Sequence, residues 1–540
     1  MTLLSVQNLS LSIGPTPILK DISFTIAPGE ILAVTGESGS GKSMTALAVM
    51  QLLPDSAKTQ GQILLNDTDL LTQSEANLCT LRGNDIGIVF QEPMTALNPL
   101  QTIGTQVAET IRIHTGAPKA EARAQAATML TRAGLPQHRF PLSRYPHELS
   151  GGQRQRVVIA MAIARRPRLL IADEPTTALD VTTQARILDL LKDLVAEFDM
   201  GLLMITHDLA VVADMADRIV IMRKGEIVEQ GATQQLLSNM QHPYTRALFE
   251  ASGHTVDLPA LQGTPAPILT VQNAVRDYAL PRTQLFAPRA FHRAVNDVSF
   301  TIHQGERVGL VGESGCGKST LTRAILGLEP VQSGQITAFD HPVGAGMLAA
   351  LRLKTQVVFQ DPYSSFNPRH RVARILTEPF HLVQNPPKGA ALQSLIGDVL
   401  TDVGLAPQDA QKYIHEFSGG QRQRIAIARA LITRPELIIF DEAVSALDVS
   451  IRAQILDLIA DLSRRHSLAY LFISHDLSVV RTVTDRVLVM QNGEIVEEGK
   501  TEAVFTTPQH PYTQSLIAAA PVLPDLVALT SKTETIYDPA

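Results

Sequence analysis

Two glycine-rich stretches of this 540-residue chain carry residue types suited to phosphate chemistry. Both have the spacing Gly-x-x-x-x-Gly-Lys-Ser, in which glycines let several backbone N–H groups point into one concave space. The lysine supplies a point charge for the β- and γ-phosphates of a nucleotide, and the serine supplies a hydroxyl for Mg²⁺. The predicted nucleotide-binding residues are Gly36, Glu37, Ser38, Gly39, Ser40, Gly41, Lys42 and Ser43 in the first phosphate loop, and Gly312, Glu313, Ser314, Gly315, Cys316, Gly317, Lys318, Ser319 and Thr320 in and just after the second.

The elements around these loops fit their chemistry. Apolar, strand-like runs at 31–35 and 307–311 precede the two loops, and Met44, Leu47 and Ala48 follow the first at helical spacing. A strand, a loop and a helix would place the phosphates at a helix N-terminus, where the dipole favours anions. A chance glycine-rich turn is the alternative, and the second copy in the same context disfavours it.

Paired carboxylates end two further apolar runs. Asp173 and Glu174 follow the first run, and Asp441 and Glu442 follow the second. Carboxylates at the C-terminal ends of strands face the crevice in which ligands bind in open α/β sheets. We predict that Asp173 and Asp441 hold Mg²⁺ and that Glu174 and Glu442 act as general bases on the attacking water.

Two glutamines and two histidines also follow short apolar runs at matched positions. A neutral amide at Gln91 or Gln360 could contact both Mg²⁺ and the water. An imidazole at His207 or His475 could hydrogen-bond the γ-phosphate. A single histidine after a strand is usually structural, but the repetition favours a catalytic role for all four residues. The predicted metal ligands are Ser43, Gln91, Asp173, Ser319, Gln360 and Asp441.

A third motif, Ser-Gly-Gly-Gln, precedes a helical run in each half of the chain. Its spacing is that of a capping box, and two bare glycines at a helix N-terminus would make a second anion site. Each half would then carry two phosphate-binding surfaces, which suggests that the second surface serves the nucleotide of the other half. The predicted residues are Ser150, Gly151, Gly152 and Gln153 in the first half, and Ser418, Gly419, Gly420 and Gln421 in the second.

These motifs belong to an internal repeat that covers nearly the whole chain. We predict a first domain at 1–253, a proline-containing linker at 254–267, a second domain at 268–521 and a loose tail at 522–540. Apolar strands flanked by helical stretches in both halves predict α/β layers around a mainly parallel core sheet.

The composition of the chain excludes several classes of protein. A formal charge of −7 argues against a chain that lives on nucleic acid, and two cysteines, Cys79 and Cys316, exclude a disulfide framework or a metal cluster. We interpret Cys316 as a small residue that fits its loop, in preference to a reactive thiol. The sequence contains neither a membrane-spanning run nor a signal peptide, so we expect a cytoplasmic chain whose membrane role comes through partner subunits.

The motifs together resemble the ATP-binding cassette (ABC) ATPases. The resemblance implies two tandem P-loop domains, each with a RecA-like α/β core and a helical subdomain. It also implies a head-to-tail pair with ATP and Mg²⁺ at two shared sites: residues 418–421 would complete the first phosphate loop, and residues 150–153 the second. Segments 178–180 and 446–448 look like loops by which the halves sense each other.

Finer motifs are similar to those of the oligopeptide, dipeptide and nickel importers. They are the stretches after Gln91 and Gln360 and a doubled Gln-His-Pro-Tyr-Thr, at 241–245 and 509–513. The fused arrangement resembles the ATPases of the microcin C-type and glutathione importers. This resemblance implies an ATPase at the cytoplasmic face of the inner membrane that energises peptide uptake, with two permeases and a periplasmic binding protein as partners.

The chain departs from the family pattern in two places. The aromatic residue that stacks on adenine matches Tyr278 in the second half but Ile13 in the first, which predicts unequal ATP sites. The proline and threonine after Glu174 are replaced by alanine and valine after Glu442.

Three rival functions use similar domains. A ribosome-associated factor would need a long charged linker, and a DNA-repair ATPase would need cysteine clusters. A fused sugar importer would usually have one degraded site, whereas Glu174 and Glu442 are both present.

Overall fold

The computed structural model describes residues 2–177, 179–258, 265–280, 289–344, 347–361, 365–445 and 447–523; the side chain of Met94 is also left undescribed. The predicted tail therefore lies outside the described residues from position 524 onward, as does the middle of the predicted linker, 259–264. The domain boundaries stay a prediction. Within the described ranges, no helix is both long and apolar enough to cross a bilayer.

The first half alternates strands and helices. Its strands are β1 Leu4–Ile13, β2 Thr16–Ile26, β3 Ile31–Thr35, β4 Ala57–Leu65, β5 Thr68–Asp69, β6 Ile86–Val89, β7 Leu169–Asp173, β8 Gly201–Ile205, β9 Arg218–Arg223 and β10 Glu226–Ala232. Its α-helices are α1 Lys42–Met50, α2 Glu75–Leu81, α3 Pro93–Ala96, α4 Ile103–Thr115, α5 Lys119–Arg132, α6 Gly151–Ala162, α7 Val181–Phe198, α8 Leu209–Met215, α9 Thr233–Ser238 and α10 Pro243–Ser252. Short 3-10 turns span Leu70–Thr72 and Pro146–Glu148.

The second half repeats this order. Its strands are β11 Pro267–Ala279, β12 Phe291–His303, β13 Arg307–Val311, β14 Ser333–Ala338, β15 His341–Pro342, β16 Thr355–Val358, β17 Leu437–Asp441, β18 Ala469–Ile473, β19 Arg486–Gln491 and β20 Glu494–Lys500. Its α-helices are α11 Lys318–Ile325, α12 Ala349–Lys354, α13 Val372–Leu376, α14 Gly389–Asp402, α15 Gly419–Leu431, α16 Val449–His466, α17 Leu477–Val483, α18 Thr501–Thr506 and α19 Pro511–Ala518. The 3-10 turns here span Glu378–Leu382, Pro407–Gln411 and Ile414–Glu416.

Each half is built on two sheets. In the first half the larger sheet has the order β10-β9-β3-β8-β7-β6, parallel except for β10. The smaller sheet, β2-β1-β4-β5, is antiparallel. The second half has the same two orders, β20-β19-β13-β18-β17-β16 and β12-β11-β14-β15. The predicted parallel core sheet is confirmed; the antiparallel sheet was not predicted.

The larger sheet is buried on both faces, which explains why its strands are apolar throughout. Leu32 and Val34 of β3 pack in the core shared with the smaller sheet and α1. Ile31 and Ala33 face the opposite core, which the long helices of the half cover. Equivalent cores fill the second half.

This topology determines where the candidate site residues lie. The first phosphate loop follows β3, His207 follows β8, Asp173 ends β7 and Gln91 follows β6. These four strands are neighbours in the order β3-β8-β7-β6, so their C-terminal ends meet at one edge. Residues far apart in the chain are thereby brought to one crevice in each half.

Candidate nucleotide-binding and hydrolysis sites

The two phosphate loops have matching geometry. Gly36 has φ of +149°, and a Cβ there would lie 2.1 Å from the carbonyl oxygen of Met222, so only glycine fits. Lys42 Nζ donates hydrogen bonds to the carbonyl oxygens of Gly36 at 2.7 Å and Glu37 at 2.9 Å. Lys318 makes the same contacts with Gly312 and Glu313. In each loop, the lysine ammonium group is therefore held by two carbonyl oxygens of the same loop.

Both loop lysines are buried, which is uncommon for a charged side chain. Lys42 is 7% exposed, and desolvation lowers its pKa despite the opposing charges of Glu174, Asp448 and Asp173. A buried ammonium group bonded only to carbonyl oxygens has charge left to satisfy. A triphosphate at the mouth of the loop would supply the anionic partner.

The hydroxyl of Ser43 donates a hydrogen bond to Asp173 Oδ1 at 3.1 Å, so two of the predicted metal ligands lie together. Burial, followed by the neighbouring charge of Glu174, raises the pKa of Asp173, and the same causes raise that of Asp441. A bound cation would offset the cost of ionising each aspartate, so the aspartate oxygens fit Mg²⁺. No group of three His, Cys, Asp or Glu side chains suited to a metal occurs in the described ranges.

Glu174 is held in a strained conformation directly after β7. Its φ is +49°, in the left-handed region that non-glycine residues rarely adopt, and Glu442 repeats this at +51°. The Glu174 carboxylate contacts Gln91 Nε2 at 2.7 Å and His207 Nδ1 at 3.1 Å. The structure thus brings three of the predicted catalytic residues together in the first half.

The hydroxyl of Thr177 is a further partner of this carboxylate, at 2.8 Å. Burial alone would raise the pKa of Glu174, but hydrogen bonds from His207 and Thr177, with the charges of His207 and Lys42, lower it to about 2. Glu174 is therefore ionised across the physiological pH range. Such a carboxylate can orient and polarise a water molecule, although its intrinsic basicity is modest.

The second half holds its glutamate differently. His475 Nδ1 lies 3.4 Å from Glu442 Oε1, and the pKa of Glu442 is again lowered against the effect of burial. Ser445, the counterpart of Thr177, donates instead to the backbone carbonyl oxygen of Glu442. Gln360 is exposed after β16, and residues 362–364 beside it lie outside the described residues. The two candidate sites thus differ around the predicted catalytic glutamate.

The Ser-Gly-Gly-Gln motifs form the predicted capping boxes. Ser150 and Gln153 bond each other's backbone N–H at the start of α6, and Ser418 with Gln421 does the same at α15. A Cβ at Gly152 would lie 2.2 Å from Thr183 Cγ2 of α7, and one at Gly420 would lie 2.4 Å from Ile451 Cγ2 of α16. The second glycine is therefore needed for helix packing, and the anion-binding role of both glycines stays a prediction.

The first glycine of each motif has room for a ligand. Gly419 has no heavy atom within 4 Å of a built Cβ, and Gly151 has only Leu179 at 3.7 Å. Both glycines are exposed. The pairing of these motifs with the phosphate loops of the opposite half stays a prediction.

Contacts between the halves do reach the phosphate loops. The backbone N–H of Ser38 donates to Asp448 Oδ1 at 2.7 Å, and the Ser450 hydroxyl donates to Glu37 Oε1 at 2.5 Å. In the other direction, Thr182 donates to Glu313 Oε1 at 2.5 Å. Asp180, the counterpart of Asp448, caps its own helix α7 instead. Of the two segments predicted to sense the opposite half, 446–448 therefore contacts its loop through Asp448. Ala178 and Ala446 are outside the described residues.

The candidate adenine-stacking residue Tyr278 has partners of its own. Its hydroxyl donates to Glu329, and the Arg276 guanidinium lies 4.8 Å from the ring centroid. An adenine would therefore have the opposite face of the ring. Ile13 lies at the matching end of β1, half-buried and paired with Thr16.

The stretch after Gln91 is a short helix followed by a buried leucine. Residues Pro93–Ala96 form the short helix α3, and Leu97 is only 3% exposed. Phe366 in the second half is 5% exposed, with Arg429 over its ring. Both apolar side chains are core residues. Tyr363 lies outside the described residues.

Cys316 agrees with its interpretation as a packing residue. It is 8% exposed, and burial raises its pKa even though Lys318 Nζ lies 3.9 Å from the sulfur. The reactive thiolate is thereby disfavoured.

Sequence reasoning missed two kinds of site residue. The Thr177 hydroxyl carried no signal before the glutamate's conformation was known. The phenols of Tyr244 and Tyr512 accept hydrogen bonds from the backbone N–H groups of Glu37 at 3.1 Å and Glu313 at 3.0 Å. Here a signal existed, because both tyrosines belong to the doubled Gln-His-Pro-Tyr-Thr motif.

Comparisons with known proteins agree with this geometry. The ABC transporter family model matches residues 19–177 and 295–445, and the model for the oligopeptide/dipeptide transporter C-terminal region matches residues 228–265 and 496–535. The chain is 48% identical to the glutathione import ATP-binding protein GsiA of Salmonella typhimurium over 541 residues, covering 93% of this chain and 86% of that protein. GsiA of Escherichia coli K12 is 46% identical over 559 residues, covering 96% and 89%.

Among solved structures, a dimeric ATP-binding cassette in a post-hydrolysis state with ADP and Pi is 31% identical, with a TM-score of 0.39, covering 43% of this chain and 98% of that one. Both copies of the ABC model fall on the two structural halves, and the similarity to GsiA runs through nearly the whole chain. The chain therefore belongs to the ABC transporter family, as an ATPase subunit with two ATP-binding cassettes.

Proposed function

We propose that this chain is the ATP-hydrolysing subunit of a bacterial importer of small peptides, glutathione among them. The observation that carries the proposal is the presence of two sets of predicted hydrolysis residues in one chain similar to glutathione import ATP-binding proteins. The match of both halves to the oligopeptide/dipeptide transporter region favours peptides as the substrate class.

In each cassette the phosphate loop would bind the triphosphate of ATP. Lys42 or Lys318 would leave its loop carbonyl oxygens to contact the β- and γ-phosphates, and the loop N–H groups would bond the phosphate oxygens. Tyr278 would stack on the adenine of the second site. Ser418 to Gln421 would close over the first ATP and Ser150 to Gln153 over the second, so hydrolysis would require both halves together.

Ser43 with Asp173, and Ser319 with Asp441, would hold Mg²⁺, and Gln91 and Gln360 would contact it from the next strand. When bound, the ion would neutralise phosphate charge. Glu174 and Glu442 would orient the attacking water from the strained turn after β7 or β17, because their carboxylates are ionised and aimed into the crevice. His207 and His475 would fix each carboxylate and contact the γ-phosphate.

The partners would be two membrane permeases and a periplasmic binding protein, and the chain would lie peripherally at the cytoplasmic face of the inner membrane. ATP would draw the cassettes together, and differential binding of ATP to the closed state would drive the permeases. No role for nucleic acid is proposed. Selection of the peptide would belong to the partner chains.

Uptake and ATPase measurements on the same variants test this proposal. Cells lacking their own peptide importers would carry the chain with its permeases and binding protein, and would be given labelled glutathione, dipeptides and longer peptides. We expect Lys42→Ala with Lys318→Ala to lose ATP binding, turnover and uptake. Glu174→Gln with Glu442→Gln should keep ATP binding but lose turnover by a factor on the order of 100 or more, because only the base is removed.

Two results would contradict it. Normal turnover in the double glutamine variant would refute the assigned bases. Uptake that ignores both pairs of substitutions, or purification of the chain with ribosomes in place of permeases, would refute the importer role.

A further inference from the structure

The Gln-His-Pro-Tyr-Thr motif has no role in the mechanism above, yet its two copies build the same contact. In the first half, Glu229 of β10 accepts hydrogen bonds from the N–H groups of Gln241 at 2.7 Å and His242 at 3.1 Å. His242 Nδ1 then accepts from the N–H of Tyr244 and caps α10. These bonds fix the start of α10 on the hairpin β9–β10.

The second half repeats every step. Glu497 of β20 accepts from Gln509 N–H at 2.8 Å and His510 N–H at 3.0 Å. His510 Nδ1 accepts from Tyr512 N–H at the start of α19. Proline at the first helical position suits a helix that begins at a fixed point, since that position needs no N–H donor.

The tyrosine of each motif contacts the phosphate loop of its own half. Tyr244 and Tyr512 are each 8% exposed, and their phenol oxygens accept from Glu37 N–H and Glu313 N–H respectively. Arg223 lies 4.7 Å from the Tyr244 ring centroid and covers the ring. Burial raises the pKa of both phenols, so they stay protonated and uncharged.

This bond acts on a defined point of the loop. Lys42 Nζ holds the carbonyl oxygens of Gly36 and Glu37, while Tyr244 holds the N–H of Glu37 from the other side. The peptide that opens the loop is thus fixed at both its acceptor and its donor before a nucleotide arrives. A loop ordered in advance loses less conformational freedom on binding, which improves affinity.

We propose that Tyr244 and Tyr512 are positioning residues that hold the entry of their own phosphate loops in the conformation that accepts ATP. The proposal rests on the nucleotide sites of the proposed function and adds a residue from the C-terminal part of each half. It also assigns a purpose to the motif: a glutamate, a histidine cap and a proline together aim one phenol at one backbone N–H.

Single-site chains give the sharpest test. In full-length protein carrying Lys318→Ala, ATP titration and hydrogen–deuterium exchange report the first site, and Tyr244→Phe removes only the phenol oxygen. We expect about a ten-fold loss of ATP affinity, because the Glu37 N–H loses its partner, and faster exchange at residues 36–43 without nucleotide. The KM for ATP should rise more than kcat falls. Tyr512→Phe in the Lys42→Ala chain should do the same to the second site.

Two comparisons make the result specific. Tyr512→Phe in the Lys318→Ala chain should leave first-site affinity and exchange unchanged. Tyr470→Phe removes another buried phenol, one that donates to the Val483 carbonyl oxygen away from both loops, and should lower stability without changing ATP affinity. Unchanged affinity and exchange in Tyr244→Phe, or an equal loss in Tyr470→Phe, would overturn the proposal. An Lys318→Ala parent that binds no ATP would overturn the nucleotide sites themselves.

Discussion

At the scale of single residues, each hydrolysis site is organised by one strained glutamate. Glu174 and Glu442 adopt the left-handed conformation, which costs on the order of 1–3 kcal/mol. Each carboxylate follows an aspartate at the end of its strand, Asp173 or Asp441. Burial raises the pKa of each aspartate, whereas hydrogen bonds lower that of each glutamate. Adjacent acids with opposite shifts can take different roles, one as a cation ligand and one as a base.

The Thr177 hydroxyl should make the two sites unequal in rate. It bonds the Glu174 carboxylate, whereas Ser445 bonds a backbone oxygen. We expect Thr177→Val to lower kcat at the first site by a factor on the order of five with little change in KM, because the carboxylate loses one restraint. ATPase assays in the Lys318→Ala chain measure this effect.

The matched control is Ser445→Ala in the Lys42→Ala chain, where a smaller fall in kcat is expected. Equal effects of the two substitutions would mean that the difference in contacts has no catalytic meaning.

At the scale of elements, local rules predicted some features and tertiary contacts produced the others. The phosphate loops and the capping boxes at Ser150 and Ser418 are set by short-range hydrogen bonds, so their spacing in the sequence was sufficient. The doubled motif marks Tyr244, but its contact with Glu37 joins residues 207 positions apart, and no local pattern identifies that partner. The antiparallel sheet was not predicted, because β1 and β11 can be recognised as strands only from their pairing with neighbouring strands.

The burial of the stretch after Gln91 could not be predicted from local sequence either, because it depends on the packing of α3 against α6. Leu97→Ala should destabilise the chain by about 2–5 kcal/mol, since it empties a core position. We expect Leu100, 85% exposed just beyond it, to contact a permease, and Leu100→Ser should change stability by about 0.5 kcal/mol or less. Thermal unfolding distinguishes the two substitutions.

Uptake assays then test coupling. Leu100→Asp should reduce peptide uptake while the isolated chain keeps its ATPase activity. Normal uptake by this variant would exclude Leu100 from the permease contact.

At the scale of the whole molecule, the two halves are similar in fold but unequal in their contacts. Asp448 reaches the first phosphate loop, whereas Asp180 stays on its own helix. The predicted adenine-stacking position holds Tyr278 in the second half and Ile13 in the first. One chain that holds both cassettes can keep such differences, since each half changes independently during evolution, which two identical subunits cannot do.

Helix α10 packs against α16 of the other half, and the chain just after it adds two polar links. His254 Nε2 lies 2.7 Å from Asp457 Oδ1, and Arg464 donates to the backbone oxygen of Asp257. These links lie along α16, the helix whose Ser450 contacts the first phosphate loop, so we expect them to act as a pivot when the cassettes separate. For a given rotation, the gap at the second site would widen more than the gap at the first, and ADP would leave the second site first.

Asp457→Ala should weaken the pivot and make the two ADP release rates more similar. Release of fluorescent ADP from the Lys42→Ala and Lys318→Ala chains measures the two rates. Unchanged rates would place the axis of opening elsewhere.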